Sequence, residues 1–266
     1  MSYINPFRRL LREKGHAIGV NVYSREPVIT EYLAQFYDYV WLDYEHSWFN
    51  KDCIIDHLIA ARAGGAGRNG NIGCPVVIRV PSEFPPDMKP ILDMGPAAVL
   101  FPMISTVEQA KRAIAACTYG PRGVRGFNPQ RITFGYSVDW NDYLRNADEY
   151  TFKILQIESK TGVENIEEIL ALPGLDGICL GPADMSATVG KLMQFGDPEM
   201  QDLIHRFARA VKKSGIPMMT AGPSDPESVS FWKNHGAKFF TAGSDMGFIF
   251  GQAQSFAEKM REMVNK

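Results

Sequence analysis

The sequence has few cysteines and no long apolar run, and both shortages narrow the classes of protein to which it can belong. Its four cysteines stand singly, without the Cys-x-x-Cys spacing of zinc sites and redox motifs. No stretch of eighteen apolar residues occurs, and the N-terminal MSYINPFRRLLREKG lacks the apolar centre of a signal peptide. We therefore expect buried thiols and a cytoplasmic protein that does not enter membranes.

The sequence also lacks an excess of either charge. Lys and Arg total 28 against 30 for Asp and Glu, and no long run of either sign occurs. A nucleic-acid-binding or membrane-binding protein would be expected to carry a basic face, so neither partner is predicted. The 266 residues, 45% hydrophobic and 22% charged, fall in the globular range. A small molecule and further copies of the same chain are the expected partners.

Eight short runs rich in β-branched and aromatic residues recur along the whole chain. Most of them are apolar at nearly every position rather than at alternate positions, which is typical of parallel strands that are covered on both faces. The runs are AIGVNV (17–22), YVWLD (39–43), PVVIRV (75–80), AAVLFP (97–102), FKILQIE (152–158), DGICLG (176–181), PMMTA (217–221) and KFFTAG (238–243).

Helix-start signals lie between these runs. Ser105-Thr-Val-Glu108 and Thr161-Gly-Val-Glu164 fit capping boxes, while Asp197-Pro198 and Asp225-Pro226 fit an N-cap followed by a proline. No GxGxxG motif follows the first strand, as a dinucleotide-binding sheet would require. Eight βα units therefore predict an α/β protein with a single (β/α)8 TIM-barrel domain over residues 1–266.

One connection is much longer than the others. Residues 119–151, between the fourth and fifth strands, are rich in aromatic side chains, which favours an ordered lid or interface. Three of its arginines, Arg122, Arg125 and Arg131, are expected either to hold this segment in place or to meet a second carboxylate on a substrate, and the structural role is favoured.

Polar and charged side chains interrupt the apolar pattern where several predicted strands end. Active sites of such barrels are built at the C-terminal ends of the strands, so these residues are expected to meet. Any one of them alone would be an ordinary polar strand end, but together they indicate a catalytic site. They are Asp43, Glu45 and His46 where the second strand ends, Arg79 at the end of the third, Gln156 and Glu158 at the end of the fifth, and the turn Gly181-Pro-Ala-Asp184 where the sixth ends.

These residue types suggest distinct roles. Glu158 and Asp184 offer only oxygen atoms, which suits Mg²⁺ or Mn²⁺ better than zinc. Such a metal could chelate a 2-oxo acid and acidify its adjacent C–H bond. Arg79 would stabilise the oxygen that becomes negative as an enolate forms, and His46, oriented by Asp43, would move the proton.

The segments that contain these residues resemble the HpcH/HpaI family of metal-dependent pyruvate aldolases. The resemblance implies aldol cleavage of a 4-hydroxy-2-oxo acid to pyruvate and an aldehyde, through a metal-chelated pyruvate enolate. It also implies Mg²⁺, Mn²⁺ or Co²⁺ as cofactor, with no organic cofactor. The matching stretches span roughly residues 17–250 and are WLDYEHS, VVIRVPS, ILDMGPAAVLFPMISTVEQA, YGPRGVRG, LQIES and GICLGPADMSATVG.

The resemblance implies residue roles as well. Glu158 and Asp184 are expected as metal ligands, with Arg79, His46 and Asp43 as catalytic residues. Dimers that exchange their C-terminal helices, residues 245–264, are expected to assemble into homo-hexamers as trimers of dimers. Substrate contacts are expected from four further residues. The four substrate-binding residues are Gln156, Gly181, Pro182 and Ala183.

Three alternatives stay open at this point. A Schiff-base aldolase would need a lysine at a strand's C-terminal end, and neither Lys153 nor Lys160 is well placed. A CoA-ester lyase of the citrate-lyase type would need a site for a nucleotide tail. A non-catalytic barrel that binds an oxo acid would not need the full set of polar residues. TAGPSD (220–225) and TAGSDM (241–246) could bind phosphate, although helix capping explains them better.

Overall fold

The computed structural model describes residues 4–67, 73–222 and 225–265. Eight parallel strands pair in sequence order, and the last pairs with the first, so the sheet closes into the predicted (β/α)8 TIM barrel. Every predicted strand is confirmed within one residue at each end. The strands are β1 Ala17–Val22, β2 Tyr39–Asp43, β3 Val76–Arg79, β4 Ala98–Phe101, β5 Phe152–Ile157, β6 Gly177–Leu180, β7 Met218–Ala221 and β8 Ala237–Ser244.

Helices surround the barrel and connect its strands. A π-helical turn, Arg131–Gly135, and a 3-10 turn, Ala147–Glu149, lie in the long connection before β5. The helices are α1 Pro6–Lys14, α2 Pro27–Leu33, α3 Lys51–Gly64, α4 Pro85–Asp93, α5 Val107–Ala116, α6 Trp140–Asn146, α7 Lys160–Glu164, α8 Ile166–Leu170, α9 Pro182–Thr188, α10 Pro198–Ser214, α11 Pro226–Asn234 and α12 Asp245–Val264.

The two Asp-Pro helix starts are confirmed. Asp197 and Asp225 are the N-caps of α10 and α11, and each accepts a hydrogen bond from a first-turn amide. Ser244 likewise caps α12. Asp225 and Ser244 belong to the two segments considered for phosphate, so capping accounts for these two residues; Pro223 and Ser224 lie outside the described residues.

Both predicted capping boxes are wrong in register. The box of α5 is formed by Thr106 and Gln109, one residue later than predicted. Helix α7 begins earlier, and its cap is Ser159 rather than Thr161. The hydroxyl groups of Ser105 and Ser159 instead lie 2.6 Å apart and join the connections that follow β4 and β5. This contact links the two loops just before α5 and α7 begin.

Aromatic side chains close the N-terminal end of the barrel. Phe7 of α1 lies inside this end, with its ring centroid 5.4 Å from Tyr39, 5.7 Å from Phe152 and 5.1 Å from Phe239. A β-carbon on Gly19 would lie 2.2 Å from the Tyr39 ring, so β1 needs glycine there. Large buried rings make this end a packed core, and only the opposite end is left to receive a substrate.

The long connection packs against the closed end of the barrel. Arg131 donates to the carbonyl of Met94, which lies shortly before β4 begins, and Tyr150 accepts from Asn5 beside α1. The predicted lid is therefore wrong, because this connection follows a helix and enters β5 at its N-terminal end. The predicted interface role stays a prediction.

The three arginines for which two roles were considered have partners within the chain. Arg122 forms an ion pair with Asp148. Arg125 is buried, donates to the carbonyl of Leu92 and lies over the Tyr119 ring. The favoured structural role is thus supported, and these residues lie at the end opposite to the polar strand ends.

A buried histidine joins two outer helices. The ring of His57, in α3, is fully buried and its Nδ1 lies 2.6 Å from the Thr30 hydroxyl of α2. Burial lowers the pKa of His57, because the charged imidazolium would lose its hydration there. His57 therefore belongs to the packing of α2 against α3.

The last helix, α12, stands away from the barrel. Only its first residue, Asp245, is buried, and its carboxylate accepts the amide hydrogens of Tyr23 and Ser24. No helix that the structure describes is long and apolar enough to cross a bilayer. Exposed apolar residues occur along α12: Met246, Phe248, Ile249, Phe250, Phe256, Met260, Met263 and Val264.

The four cysteines are buried, as predicted. Burial raises the pKa of Cys117 to about 12, because a thiolate would be poorly solvated there. A buried thiol held in its protonated form is a poor nucleophile. We therefore assign the cysteines to packing.

Candidate active site at the barrel mouth

The C-terminal end of β2 is shaped by one buried carboxylate. Asp43 is 0% exposed, and its Oδ1 accepts the backbone N–H groups of Glu45 and His46, each at 3.1 Å. The Ser47 hydroxyl donates to the carbonyl of Asp43. These bonds fix a tight turn over residues 44–47 and so set the directions of two polar side chains. We call this end of the barrel, where the strands have their C-termini, the mouth.

Arg79, the last residue of β3, is clamped at the mouth. Its Nε donates to Asp43 at 3.0 Å, a terminal nitrogen donates to the other Asp43 oxygen, and Nε lies 3.2 Å from Glu45 Oε2. The guanidinium also lies 5.7 Å from the centroid of the Trp41 ring. Paired, bidentate contact leaves little rotational freedom to a guanidinium. Arg79 therefore presents a fixed positive charge.

The His46 imidazole contacts a different carboxylate from the one predicted. Its Nε2 lies 3.6 Å from Glu45 Oε2, whereas Asp43 bonds only the backbone N–H of His46. The His46 side chain is 60% exposed and faces solvent at the mouth. The prediction that Asp43 orients the imidazole directly is therefore wrong: Asp43 holds the turn, and Glu45 is the neighbour of the ring.

Glu158 follows β5 and is almost fully buried. Its Oε1 accepts the backbone N–H of Met103 at 2.8 Å, and its Oε2 accepts from Gln156 at 2.9 Å. A β-carbon on Gly181 would lie 2.2 Å from Glu158 Oε2, so any larger residue where β6 ends would displace this carboxylate. Two neighbouring strands thus fix this carboxylate at the mouth.

Negative charge accumulates around this carboxylate. The pKa of Glu158 is raised to about 7, chiefly by burial, with the charges of Glu45 and Asp184 adding to the rise. Asp184 is exposed, in the first turn of α9, and its charge also contributes to a raised pKa of Glu45. The predicted site residues of β2, β3, β5 and the β6 connection therefore share one electrostatic environment.

The described residues contain no group of three or more His, Cys, Asp or Glu side chains placed to hold a metal ion. Zinc sites normally use at least three such ligands. A site with two protein carboxylates suits a cation that keeps water or substrate oxygens in its shell.

Helix α9 begins directly after β6, at the mouth. Gly181 is its N-cap and has no side chain to accept the first amides, and Pro182 takes the next position. The first amides of a helix have no acceptor within the helix and can bind an anion. Gly181, Pro182 and Ala183 thus lie where a substrate carboxylate could bind.

The two lysines considered for a Schiff base lie elsewhere. Lys153 Nζ is buried near the start of β5 and lies 3.0 Å from Asp176. Lys160 is exposed and lies 2.9 Å from Glu199. Both amines are engaged in ion pairs away from Arg79, which agrees with the prediction that neither lysine is well placed to form a Schiff base.

Sequence reasoning did not assign roles to two groups at this site. Glu45 lies within DYEHS, but the sequence does not indicate its two partners. The Met103 amide contacts Glu158 because Met103 adopts a φ of 58°, which turns the chain back toward the barrel. The position of Glu45 beside His46 could have suggested the first group; no sequence signal indicated the second.

Comparisons with known proteins agree with this architecture. Residues 18–250 match the family model described as HpcH/HpaI aldolase/citrate lyase. The chain is 31% identical to the 5-keto-4-deoxy-D-glucarate aldolase of Klebsiella pneumoniae subsp. pneumoniae, with 97% of each chain covered. It is 26% identical to the structure of an HpcH/HpaI aldolase/citrate lyase family protein from Burkholderia cenocepacia J2315, with a TM-score of 0.84 and coverage of 97% of this chain and 99% of that one.

A more distant structural neighbour is a complex that contains magnesium. It is the citrate lyase beta subunit from M. tuberculosis complexed with oxaloacetate and magnesium, 15% identical, with a TM-score of 0.52 and coverage of 88% of this chain and 93% of that one. At that identity the likeness supports the fold alone. From the family match over residues 18–250, the chain belongs to the HpcH/HpaI aldolase/citrate lyase family.

Proposed function

We propose that the protein is a divalent-metal-dependent aldolase that cleaves a 4-hydroxy-2-oxo acid reversibly to pyruvate and an aldehyde. It is a carbon–carbon lyase. The observation that carries the proposal is the guanidinium of Arg79, held by Asp43 at the same barrel mouth as the buried carboxylate of Glu158. Fixed positive charge beside a strongly acidic site is what the formation of an enolate requires.

The substrate named for the Klebsiella relative defines the chemistry. In 5-keto-4-deoxy-D-glucarate the keto group neighbours a terminal carboxylate, the next carbon is a methylene, and the carbon after that bears a hydroxyl group. Counted from the keto end, the compound is a 4-hydroxy-2-oxo acid. Breaking the bond between the methylene and the hydroxyl-bearing carbon gives pyruvate and an aldehyde acid.

The residues at the mouth fit a divalent cation. Asp43, Glu45, Glu158 and Asp184 contribute carboxylates, while Arg79 is the guanidinium paired with two of them. We propose Glu158 and Asp184 as ligands, because these hard oxygen donors suit Mg²⁺, Mn²⁺ or Co²⁺. A bound cation would offset the excess negative charge and polarise the keto group of the substrate.

Arg79 and His46 would divide the remaining chemistry. As the carbon–carbon bond breaks, its electron pair moves onto the keto oxygen, and Arg79 stabilises that developing negative charge. His46 accepts the proton of the 4-hydroxyl group, and in the reverse direction returns it to the aldehyde oxygen. The enolate then takes up on carbon the proton that His46 accepted, which gives pyruvate and returns the imidazole to its neutral form.

The carboxylate of the oxo acid would lie at the start of α9. We propose the backbone around Gly181, Pro182 and Ala183 as its site, with Gln156 lining the same space. Gln156 Oε1 is buried without a hydrogen-bond partner among the residues that the structure describes. A buried polar atom of this kind is available to a ligand or to water.

The test is metal-dependent release of pyruvate. Cleavage of a panel of 4-hydroxy-2-oxo acids would be followed with lactate dehydrogenase and NADH. We expect EDTA to abolish release and Mg²⁺, Mn²⁺ or Co²⁺ to restore it. Asp184→Asn should lose activity, whereas Asp202→Asn, the same change on the exposed face of α10, should not. Activity that ignores EDTA would refute the proposal, and activity only with a CoA ester would favour the alternative lyase.

We further propose that the partner of α12 is the same helix region of a second copy, within a homo-hexamer of exchanged dimers. The outer face of the barrel beside α12 is open: Ile18 of β1 is 46% exposed, and Phe240, its partner on β8, is partly exposed. An uncovered apolar sheet face and an uncovered apolar helix are complementary surfaces. Exchange would bury both.

Sedimentation velocity tests this assembly. Phe250→Glu combined with Phe256→Glu should dissociate the oligomer, because both rings are exposed on α12. The matched change Gln252→Glu, at a polar position of the same helix, should leave it intact. A wild-type monomer would contradict the proposal. A cytoplasmic location stays a prediction from the four buried thiols.

A further inference from the structure

One carboxylate at the mouth contacts both groups that the proposed function uses. Glu45 Oε2 lies 3.6 Å from His46 Nε2 and 3.2 Å from Arg79 Nε. Its side chain is 17% exposed, while that of His46 is 60% exposed. Within the described ranges, Glu45 is the single carboxylate found within 4 Å of the His46 imidazole.

Asp43 cannot perform the same task, because its oxygens are occupied. Oδ1 accepts from Arg79 Nε and from the backbone amides of Glu45 and His46, and Oδ2 accepts from a second Arg79 nitrogen. Four donors thus share the carboxylate of Asp43, and none of them belongs to the imidazole. Asp43 fixes where Glu45 and His46 stand, without touching the ring.

Glu45 Oε2, in contrast, is buried and has no hydrogen-bond partner in the described part of the chain. The single hydrogen of Arg79 Nε is directed at Asp43, 3.0 Å away, so Arg79 gives Glu45 charge but no hydrogen bond. A buried acceptor without a donor is unfavourable. An N–H at His46 Nε2 would supply the missing donor.

We propose that Glu45 is a positioning residue for proton transfer by His46. Glu45 accepts the Nε2–H of the imidazole, which leaves Nδ1 as the nitrogen that takes the substrate proton. When His46 becomes an imidazolium, Glu45 balances its charge. This inference rests on the proposed function, because that function assigns the proton transfer to His46.

The isosteric variant Glu45→Gln tests the inference. It keeps the shape of the side chain and removes its charge. We expect kcat for pyruvate release to fall about 10- to 100-fold, part of the rate that acid–base catalysis usually contributes, while KM changes less than about threefold. The pH profile of kcat should also change, because the negative charge beside the imidazole is removed. A purely structural role would not move the pH profile.

Two controls separate the outcomes. Glu83→Gln removes a carboxylate paired with Arg112, 2.9 Å away, on the connection after β3, and should leave kcat and the pH profile unchanged. In a His46→Gln background, Glu45→Gln should lower kcat by less than about threefold, because Glu45 acts through the imidazole. An undiminished loss in that background would overturn the inference.

Further results are equally decisive. Should Glu45→Gln fail to fold, Glu45→Asp keeps the charge and shortens the reach, and it should show a smaller loss with a smaller change in the pH profile; an unchanged Glu45→Asp enzyme would overturn the inference. A wild-type protein that releases pyruvate alongside an equally active Glu45→Gln variant would refute only the role of Glu45. A wild-type protein that releases no pyruvate would refute the proposed function and this inference with it.

Discussion

Replacing Asp43 by asparagine should destabilise the fold as well as the site. The carboxylate is 0% exposed and is the bidentate partner of Arg79, which is itself only 9% exposed. Removing one partner of a buried ion pair usually lowers the free energy of unfolding by about 3–5 kcal/mol, because the other charge stays buried. Glu45, 3.2 Å from Arg79, retains part of the compensation, so we expect about 3 kcal/mol.

Urea denaturation followed by tryptophan fluorescence measures this change. Glu83→Gln, which breaks an ion pair at the surface, is the matched control and should change the free energy of unfolding by less than about 1 kcal/mol. The double change Asp43→Asn with Arg79→Met removes both charges but keeps an oxygen that can accept the backbone N–H groups of Glu45 and His46, so it should recover part of the lost stability, although not activity. An Asp43→Asn protein within about 1 kcal/mol of wild type would refute the reasoning that the pair is a buried, mutually dependent unit.

Three further results are expected. Gly181→Ala should reduce kcat at least 100-fold, because its β-carbon would displace Glu158; kinetic assays on a variant with native circular dichroism test this, and wild-type kcat would contradict it. The free energy of unfolding should fall by at most about 1.4 kcal/mol per pH unit as the pH drops below about 6.5, because His57 takes up a proton in the unfolded chain but resists it when buried. Urea titrations at several pH values measure this slope. A His57→Gln protein with the same slope would exclude His57 as its origin. Arg122→Ala should leave kcat/KM unchanged, since Arg122 pairs with Asp148 in the connection at the closed end; a large rise in KM would instead place this connection at the substrate.

The sequence was sufficient for the barrel because its signals are local. Continuous apolar runs such as YVWLD are typical of strands covered on both faces, and the Asp-Pro pairs at 197 and 225 specify helix starts through their own hydrogen bonds. The capping boxes failed because a Ser-Thr pair offers alternative caps. The structure uses Thr106 for α5 and Ser159 for α7, and the sequence pattern alone does not distinguish these caps from their neighbours.

Two sequence signals disagree about where the long connection lies. Residues 119–151 follow α5 and precede β5, so the alternation of strands and helices already places them at the N-terminal end of the barrel. Their length and aromatic content favoured a lid, although lids at the active site follow strands. The order of elements was the stronger constraint.

The sequence by itself determined the eight strands, the family and the end of the barrel at which Asp43, His46, Arg79 and Glu158 meet. Only the tertiary structure decided which carboxylate serves which partner. Asp43 bonds Arg79 and the backbone of the turn, and this leaves Glu45 beside the imidazole. Strand order fixes position to within one turn of chain, but a contact of about 3 Å depends on how neighbouring strands and turns pack, and residues far apart in sequence supply that information.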